Sequence, residues 1–456
     1  MKDLSTGSIP GHIATMSMQM AVGILVQTLY FFTDLYFVSK LGDQAIAGVT
    51  SAGNVWFIVL ALTQILNVGT VALVSHAVGA RQQDRANLVF NQSLSLSLAM
   101  GAVVFVGVYL GSGHYMHTVA ADDPTARAGI DYLHWFAPGL ALQFPMVAMF
   151  ATLRATGMMK PTMILQVITV LVNIVLAPIL IVGWLTGHAM GPAGAGLASS
   201  ISVAVGIVLC AYYFRSHEKY VAVHREQMRA QMALWGRVLI IGLPVGLEFM
   251  LMSLVMAIIY WLIRDFGAAA QAGFGVAQGV MRIIMLPAMA VAFAAAPIAG
   301  QNFGARKPER VRETFKWTVM FSILIMALLT VVCQFASPFF MRIFTHEEAV
   351  VLVGVQMLVI TSWNFAANGV IFSCSSMFQA LGNTWPTIVS SAIRVTIFAV
   401  PALWLSTRPG FQLVDVWYVS LVSMFVQAVV SYSLVRREFG RKLMPVGAPA
   451  AAGLPQ

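Results

Sequence analysis

Long apolar runs separated by short polar turns recur along this chain about twelve times. Each run reaches the roughly 20 residues that cross a hydrocarbon core. The pattern predicts spanning helices near 12–38, 45–78, 88–111, 128–153, 161–183, 193–214, 238–263, 268–302, 315–336, 349–378, 386–406 and 412–435. The first run exceeds the roughly 7–15 apolar residues of a signal-peptide core, so it reads as a spanning helix.

Composition strengthens this picture. Of 456 residues 59% are hydrophobic and 9% charged, where a soluble domain would carry about a quarter charged. Lipid is therefore the expected solvent for most of the chain. Short loops rich in Lys and Arg stay on the cytoplasmic side. Of the 26 Lys and Arg residues, nineteen fall in the termini and alternate loops, among them the segment 215–237, five fall in the opposite loops, and Arg282 and Arg394 lie within spans. Both termini and the basic linker are expected in the cytoplasm. The net charge of +9 is thereby accounted for by loops facing an anionic leaflet, and no nucleic-acid partner is expected.

Other chemistry finds little support. Cys210, Cys333 and Cys374 sit in apolar runs at no metal-ligand spacing, as small packing residues do. His117 and Asp122 have the spacing of an acyltransferase pair, but they fall in an outer loop without a supporting motif. There is no glycine-rich nucleotide loop. Neither an enzyme nor a bound cofactor is expected.

The two halves repeat at an offset of 225 residues. Gly79-Ala80-Arg81 recurs as Gly304-Ala305-Arg306, Arg85 as Arg310, Gly42 as Gly267, Gly48 as Gly273, and Gly157, Pro161 and Thr162 as Gly382, Pro386 and Thr387. Each half holds an even number of spans, so the repeats are parallel and related by an axis along the membrane normal. The expected fold is an all-α polytopic membrane protein with twelve transmembrane helices in two six-helix lobes about a pseudo-twofold axis. The lobes occupy 1–214 and 238–436, joined by an amphipathic cytoplasmic linker 215–237 and followed by a cytoplasmic tail 437–456. A site between two such lobes can be opened to either face by rocking one against the other.

Several motifs carry a family resemblance: Asp34-Leu-Tyr-Phe-Val-Ser-Lys-Leu-Gly42, Arg154-Ala-Thr-Gly157 before Lys160-Pro161, Asn173-Ile-Val-Leu-Ala-Pro178, Gly191-Pro-Ala-Gly-Ala-Gly-Leu-Ala-Ser199, Gly242-Leu-Pro244 and Gln301-Asn-Phe-Gly-Ala-Arg306. Together they resemble the multidrug and toxic compound extrusion (MATE) family, closer to its DinF-type than its NorM-type branch. The resemblance implies a V-shaped exporter in the cell inner membrane, functional as a monomer, that exchanges small organic molecules for protons or sodium.

A carboxylate in mid-span costs about 2.5–3.5 kcal/mol on insertion scales and is seldom kept without a use. Asp34 is the leading candidate. It lies among Tyr30, Phe31, Phe32, Tyr36 and Phe37, and it resembles the first-helix aspartate that the family uses for coupling. Asn173 and Ser199 resemble its polar partners on the fifth and sixth spans. The family's second carboxylate on the fifth span is absent, since the position four after Asn173 is Ala177. A proton needs one basic oxygen and sodium several, so H⁺ is favoured over Na⁺ as the coupling ion.

In the second half Glu248 is the acidic residue deep in a span, and Arg282 and Arg394 are its possible ion-pair partners. Asn368 aligns with an aspartate of the NorM-type branch, and its neutrality weakens a sodium site there. Methionines and aromatic rings, Tyr30 and Tyr36 included, would line an adaptable substrate cavity. A lipid or lipid-linked oligosaccharide flippase would share the architecture but needs several interior basic residues for a pyrophosphate. Only Arg282 and Arg394 are available. The charge distribution makes one direct prediction. In a cysteine-free background, Arg225→Cys is labelled by an impermeant thiol reagent in inside-out vesicles and not in intact cells; labelling in intact cells reverses the topology.

Overall fold

The structure is a computed structural model that describes residues 1–443 apart from Thr186 and Lys219, with the side chains of residues 29–32 and 35 also outside the description. The described residues form thirteen α-helices and no strand. In the first half these are α1 (Ile9–Ser39), α2 (Asp43–Gly79), α3 (Gln83–Val119), α4 (Asp123–Ala155), α5 (Met159–Ile181) and α6 (Pro192–Ser216). The second half holds α7 (Met232–Ile263), α8 (Ala268–Gly304), α9 (Pro308–Arg342), α10 (Glu348–Thr361), α11 (Asn364–Ala380), α12 (Trp385–Ser406) and α13 (Leu413–Lys442). Only helices satisfy their own backbone polar groups in lipid without forming a closed barrel, and the apolar runs are long enough for nothing else.

The repeat reappears in backbone geometry. Moving α2 by 225 residues places it on α8, end for end. Arg81 and Arg306 both take the left-handed conformation, with φ of 57° and 54°. Beside them Gln82 N–H bonds Ala77 O and Arg81 N–H bonds Val78 O, just as Lys307 bonds Asn302 and Arg306 bonds Phe303. Each Gly-Ala-Arg run is thus a helix stop of the Schellman type. The turns at Gly157 (φ 78°) and Gly382 (φ 65°) close in the same way, here with the glycine that a positive φ favours.

Where the helical hydrogen-bond ladder is interrupted, a neighbouring helix repairs it. Pro138 interrupts α4. Ser200 of α6 fills the gap, accepting from Gly139 N–H at 3.0 Å and donating to Trp135 O at 2.6 Å. The equivalent place in the second half is the break at Ser362 and Trp363. The run expected as one helix over 349–378 is instead two, α10 and α11, meeting at 56°. Thr330 Oγ1 of α9 donates to Ser362 O at 2.9 Å and Gln334 Nε2 to Val359 O at 2.8 Å, so the freed carbonyls are not left bare in an apolar surrounding. Counted as one broken span, α10 and α11 bring the total to twelve.

Within the first half α4 is the hub, packed on α2, α3 and α6, and α5 lies against α1 and α6. Helices α8 and α11 take the matching role in the second half. Between α6 and α7 the described residues of the linker are non-helical apart from one 3₁₀ turn, Arg225–Met228. Amide side chains of α3 hold it: Asn87, Asn91 and Gln92 accept from the N–H groups of Ala222, His224 and Gln231 at 2.8–2.9 Å. Without a helical ladder the linker's backbone needs outside partners, and α3 supplies them.

The lobes meet through α2 with α7, α1 with α8 and α2 with α8. Among the described residues every hydrogen bond between the lobes lies at the end that carries the N-terminus, the linker and the basic loops. There α2 and α8 cross backbone to backbone. A Cβ on Gly79 would overlap Gln301 O, and one on Gly304 would overlap His76 O, the same contact made twice about the pseudo-twofold axis. Gly79→Ala is therefore expected to destabilise the detergent-solubilised protein by about 1–3 kcal/mol, read as a lower melting midpoint. Gly53→Ala, whose added Cβ meets nothing within 4 Å, leaves the midpoint unchanged.

Candidate functional site

The carboxylate of α1 is built into the first lobe. Asp34 is half-buried, and its Oδ2 accepts a hydrogen bond from Ser199 Oγ of α6 at 3.2 Å. Its Oδ1 is shielded and has no hydrogen-bond partner among the described residues. Asn173, fully buried on α5, lies within reach of the same carboxylate, although neither atom of its amide makes a hydrogen bond of regular geometry. Tyr132 of α4 is close enough to feel the charge of Asp34. The three expected residues are thus gathered from α1, α5 and α6, with no basic side chain in ion-pair distance of Asp34 among the described residues.

Of the aromatic residues expected to line a cavity, the side chain of Tyr30 lies outside the described residues. Tyr36 is exposed near the end of α1, where Lys40 Nζ sits 4.5 Å from its ring centroid. That end of α1 also brings Phe37 and Trp184 around the same ammonium. Tyr36 therefore belongs to a cation–π cluster at the helix end.

In the second lobe Glu248, Asn368, Ser391, Arg394 and Gln427 line one small cavity of about 50 Å³ between α7, α11, α12 and α13. Ser391 Oγ donates to Glu248 Oε1 at 3.1 Å and receives Gln427 Nε2 at 3.1 Å. Arg394 faces the same space and interacts with the charge of Glu248 at longer range. Its Nε has no hydrogen-bond partner and the two form no ion pair within 4 Å among the described residues. Arg282 does not join them. It is exposed on α8 and lines no part of this cavity, which corrects its candidacy as an ion-pair partner of Glu248. Its register on α8 turns it outward while its neighbour Met281 points inward to Thr361.

Residues that composition did not single out tie the lobes together. Gln301 accepts from Leu4 N–H at 2.9 Å and donates to Ala155 O, at the end of α4, at 2.7 Å. Asn302 donates to Leu4 O, Lys307 to Ser5 O and Arg310 to Gly7 O, while Lys2 N–H bonds Thr156 O at 2.8 Å. The first eight residues thereby form a strap from one lobe to the other. His76, the repeat partner of Gln301, bonds Ala380 O at 2.6 Å across the same seam. The 225-residue register was the signal that would have found this pair. On the opposite side Asp122 does a structural job, capping α4 by accepting from Thr125 N–H at 2.8 Å. That bond holds its carboxyl below the ordinary carboxylate range.

The family model described as MatE matches residues 20–179 and again 244–405. The chain belongs to the MatE family. The two matched segments reproduce the internal repeat almost residue for residue. The chain is 22% identical over 381 residues to the probable multidrug resistance protein YoeA of Bacillus subtilis, covering 83% of this chain and 82% of that protein. It is 23% identical to the multidrug export protein MepA of Staphylococcus haemolyticus, covering 92% and 93%. Among solved structures, a MOP superfamily transporter from Pyrococcus furiosus, reported with a binding pocket of reversed polarity, superimposes with a TM-score of 0.90 at 23% identity, covering 97% of this chain and 98% of that one. An outward-facing multidrug resistance MATE transporter gives 0.89 at 23%, with the same coverage. These likenesses establish the twelve-helix, two-lobe fold for this MatE chain.

The buried amide of Asn173 separates a structural from a functional role. A buried amide without regular partners costs about 1–3 kcal/mol. Asn173→Leu, similar in size, is therefore expected to melt no lower than the parent protein and yet to slow gradient-driven efflux at least about tenfold, a barrier change of about 1.4 kcal/mol. A lower melting midpoint with normal efflux would make Asn173 interhelical glue only.

Proposed function

We propose that this MatE protein is a proton-coupled antiporter that exports small, amphipathic or cationic organic compounds by alternating access. The observation that carries the reading is the setting of Asp34: one serine hydrogen bond, one shielded bare oxygen and no basic partner among the described residues. An ionised carboxylate so placed is expensive, and a single proton relieves it. Sodium would want several oxygen ligands, and the position after one turn of α5 from Asn173 is Ala177. Asn368 stands neutral in the second-lobe cavity. The names of YoeA and MepA, a multidrug resistance protein and a multidrug export protein, support a drug-like substrate class.

The basic end is taken as cytoplasmic. Both termini then face the cytoplasm of a cell whose inner membrane holds the protein, and the seam of α2 with α8 lies at the cytoplasmic side. Residues 1–214 and 238–436 move as two lobes, with residues 444–456 of the tail outside the described structure. A proton arriving from outside neutralises Asp34 and weakens its hold on Ser199 Oγ. Protonation then favours one lobe arrangement over the other by its differential interaction with the two.

The energetics are adequate. A charge crossing the membrane gains roughly 2.3 kcal/mol per 100 mV, and one pH unit adds about 1.36 kcal/mol. For a neutral substrate exchanged one for one, the sum sustains a gradient of roughly a few hundredfold at 1.4 kcal/mol per tenfold. For a monocation the exchange is electroneutral, so the pH difference alone acts and supports about tenfold per unit.

The test is dye efflux in proteoliposomes driven separately by pH and sodium gradients. A pH gradient drives efflux in the parent protein. Asp34→Asn, folded and inserted, falls to the leak rate, and Glu248→Gln is slowed less. Normal efflux by Asp34→Asn, or efflux driven by sodium alone, overturns the assignment.

A further inference from the structure

A second cavity lies away from both carboxylate sites. It measures about 380 Å³ and opens in the first lobe where α1, α5 and α6 meet the strap. That volume is within the roughly 300–1,000 Å³ of small-ligand pockets. Its floor is apolar, with Met16, Met159 and Leu165 all buried. At its rim stand Lys2 and Lys160, both exposed and neither in an ion pair among the described residues. Lys160 precedes Pro161 in the first turn of α5, so the rim lies level with the helix ends, where headgroups sit, and the floor lies level with acyl chains.

We propose that this crevice is a binding site for an anionic phospholipid of the leaflet at the basic end, with one acyl chain on the methionine and leucine floor and the phosphate between Lys2 and Lys160. An apolar hollow of this size is costly to fill with water and open to hydrocarbon. Two unpaired lysines at its mouth complement a negative headgroup, as basic pockets between spanning helices do. Free phosphate would satisfy the rim and leave the floor bare. A zwitterionic lipid would satisfy the floor and gain little at the rim.

The crevice is also coupled to the lobe seam. Lys2 is part of the strap: its N–H bonds Thr156 O in the first lobe, its backbone packs on Gly157, and two residues on Leu4 bonds Gln301 and Asn302 in the second. A lipid held by Lys2 fastens the strap and favours the arrangement in which the lobes are joined at this end.

Native mass spectrometry of the full chain, with phosphatidylglycerol and phosphatidylcholine of matched acyl chains, tests the site. The parent protein should retain one phosphatidylglycerol roughly tenfold more tightly than phosphatidylcholine, given two lysines near the headgroup. It should also melt higher with that lipid bound. The double variant Lys2→Ala, Lys160→Ala should lose the preference and the added stability while keeping its lipid-free melting midpoint, and Lys160→Arg should retain both. Equal retention of the two lipids by the parent protein, an undiminished preference in the double variant, or displacement of phosphatidylglycerol by millimolar inorganic phosphate would overturn the proposal.

Discussion

The close crossing of α2 and α8 is the constraint on which the rest of this structure depends. Gly79 meets the backbone at Gln301 and Gly304 meets it at His76, an approach open only to residues without a Cβ and typical of helices that associate in lipid, where packing rather than water expulsion joins them. Because the contact sits at the ends of both helices, it draws the lobes together at one face. The strap, the His76 bond to Ala380 and the Gln301 bond to Ala155 then have somewhere to form. The polar part of the seam, made of backbone carbonyls and amide side chains, lies beside an apolar contact of Ile9, Ile13 and Met16 on α1 with Val291, Ala294 and Ile298 on α8. Its hydrogen bonds are few, each worth about 0.5–1.5 kcal/mol net.

The two halves keep the same helices and have diverged in their ionisable groups. At the repeat position of Asp34 the second half has Ile259, and at that of Glu248 the first half has Gly23. Ser391, which holds Glu248, corresponds to Gln166, which lies against Gly23. The same contact between the first and fifth helices of each lobe has thus been made ionisable in one half only. The consequence is electrostatic. Taking up a proton carries the Asp34 site from negative to neutral, whereas the Glu248 cluster, facing Arg394, goes from balanced to positive. The same proton therefore removes the net charge of one site and creates a net charge at the other.

Membrane burial also explains where polar residues without charge are spent. Ser200 bridges the gap opened by Pro138, and Thr330 and Gln334 cover the carbonyls at the break between α10 and α11. The two breaks occupy equivalent places in the repeat but are repaired by different helices, α6 in one lobe and α9 in the other. Pro138 has Trp363 as its counterpart, so a proline opens the gap in one lobe only.

Much of this was legible in the sequence. Apolar runs of spanning length leave the chain no fold but helices, since lipid offers backbone groups no partner. The 225-residue register predicted two parallel halves, and the family motifs pointed to Asp34, Ser199 and Asn173. The register, however, records which residues correspond and not which ones touch. Whether Arg282 faced Glu248 depended on the rotation of α8, and one step along a helix turns a side chain by about 100°. The break at Ser362 escaped notice because no proline or glycine marks it and because its stabilising partners lie about thirty residues earlier, on α9. The strap was invisible for the same reason: its first eight residues have no periodicity, and their partners at Thr156, Gln301, Asn302, Lys307 and Arg310 are distant in sequence. Local pattern therefore determined the spans, their count and their pairing into repeats, because each follows from hydrophobicity and backbone hydrogen bonding within a segment. Tertiary structure alone decided which polar groups share a site and which end of the seam is closed, because those depend on helix rotation and on contacts between segments hundreds of residues apart.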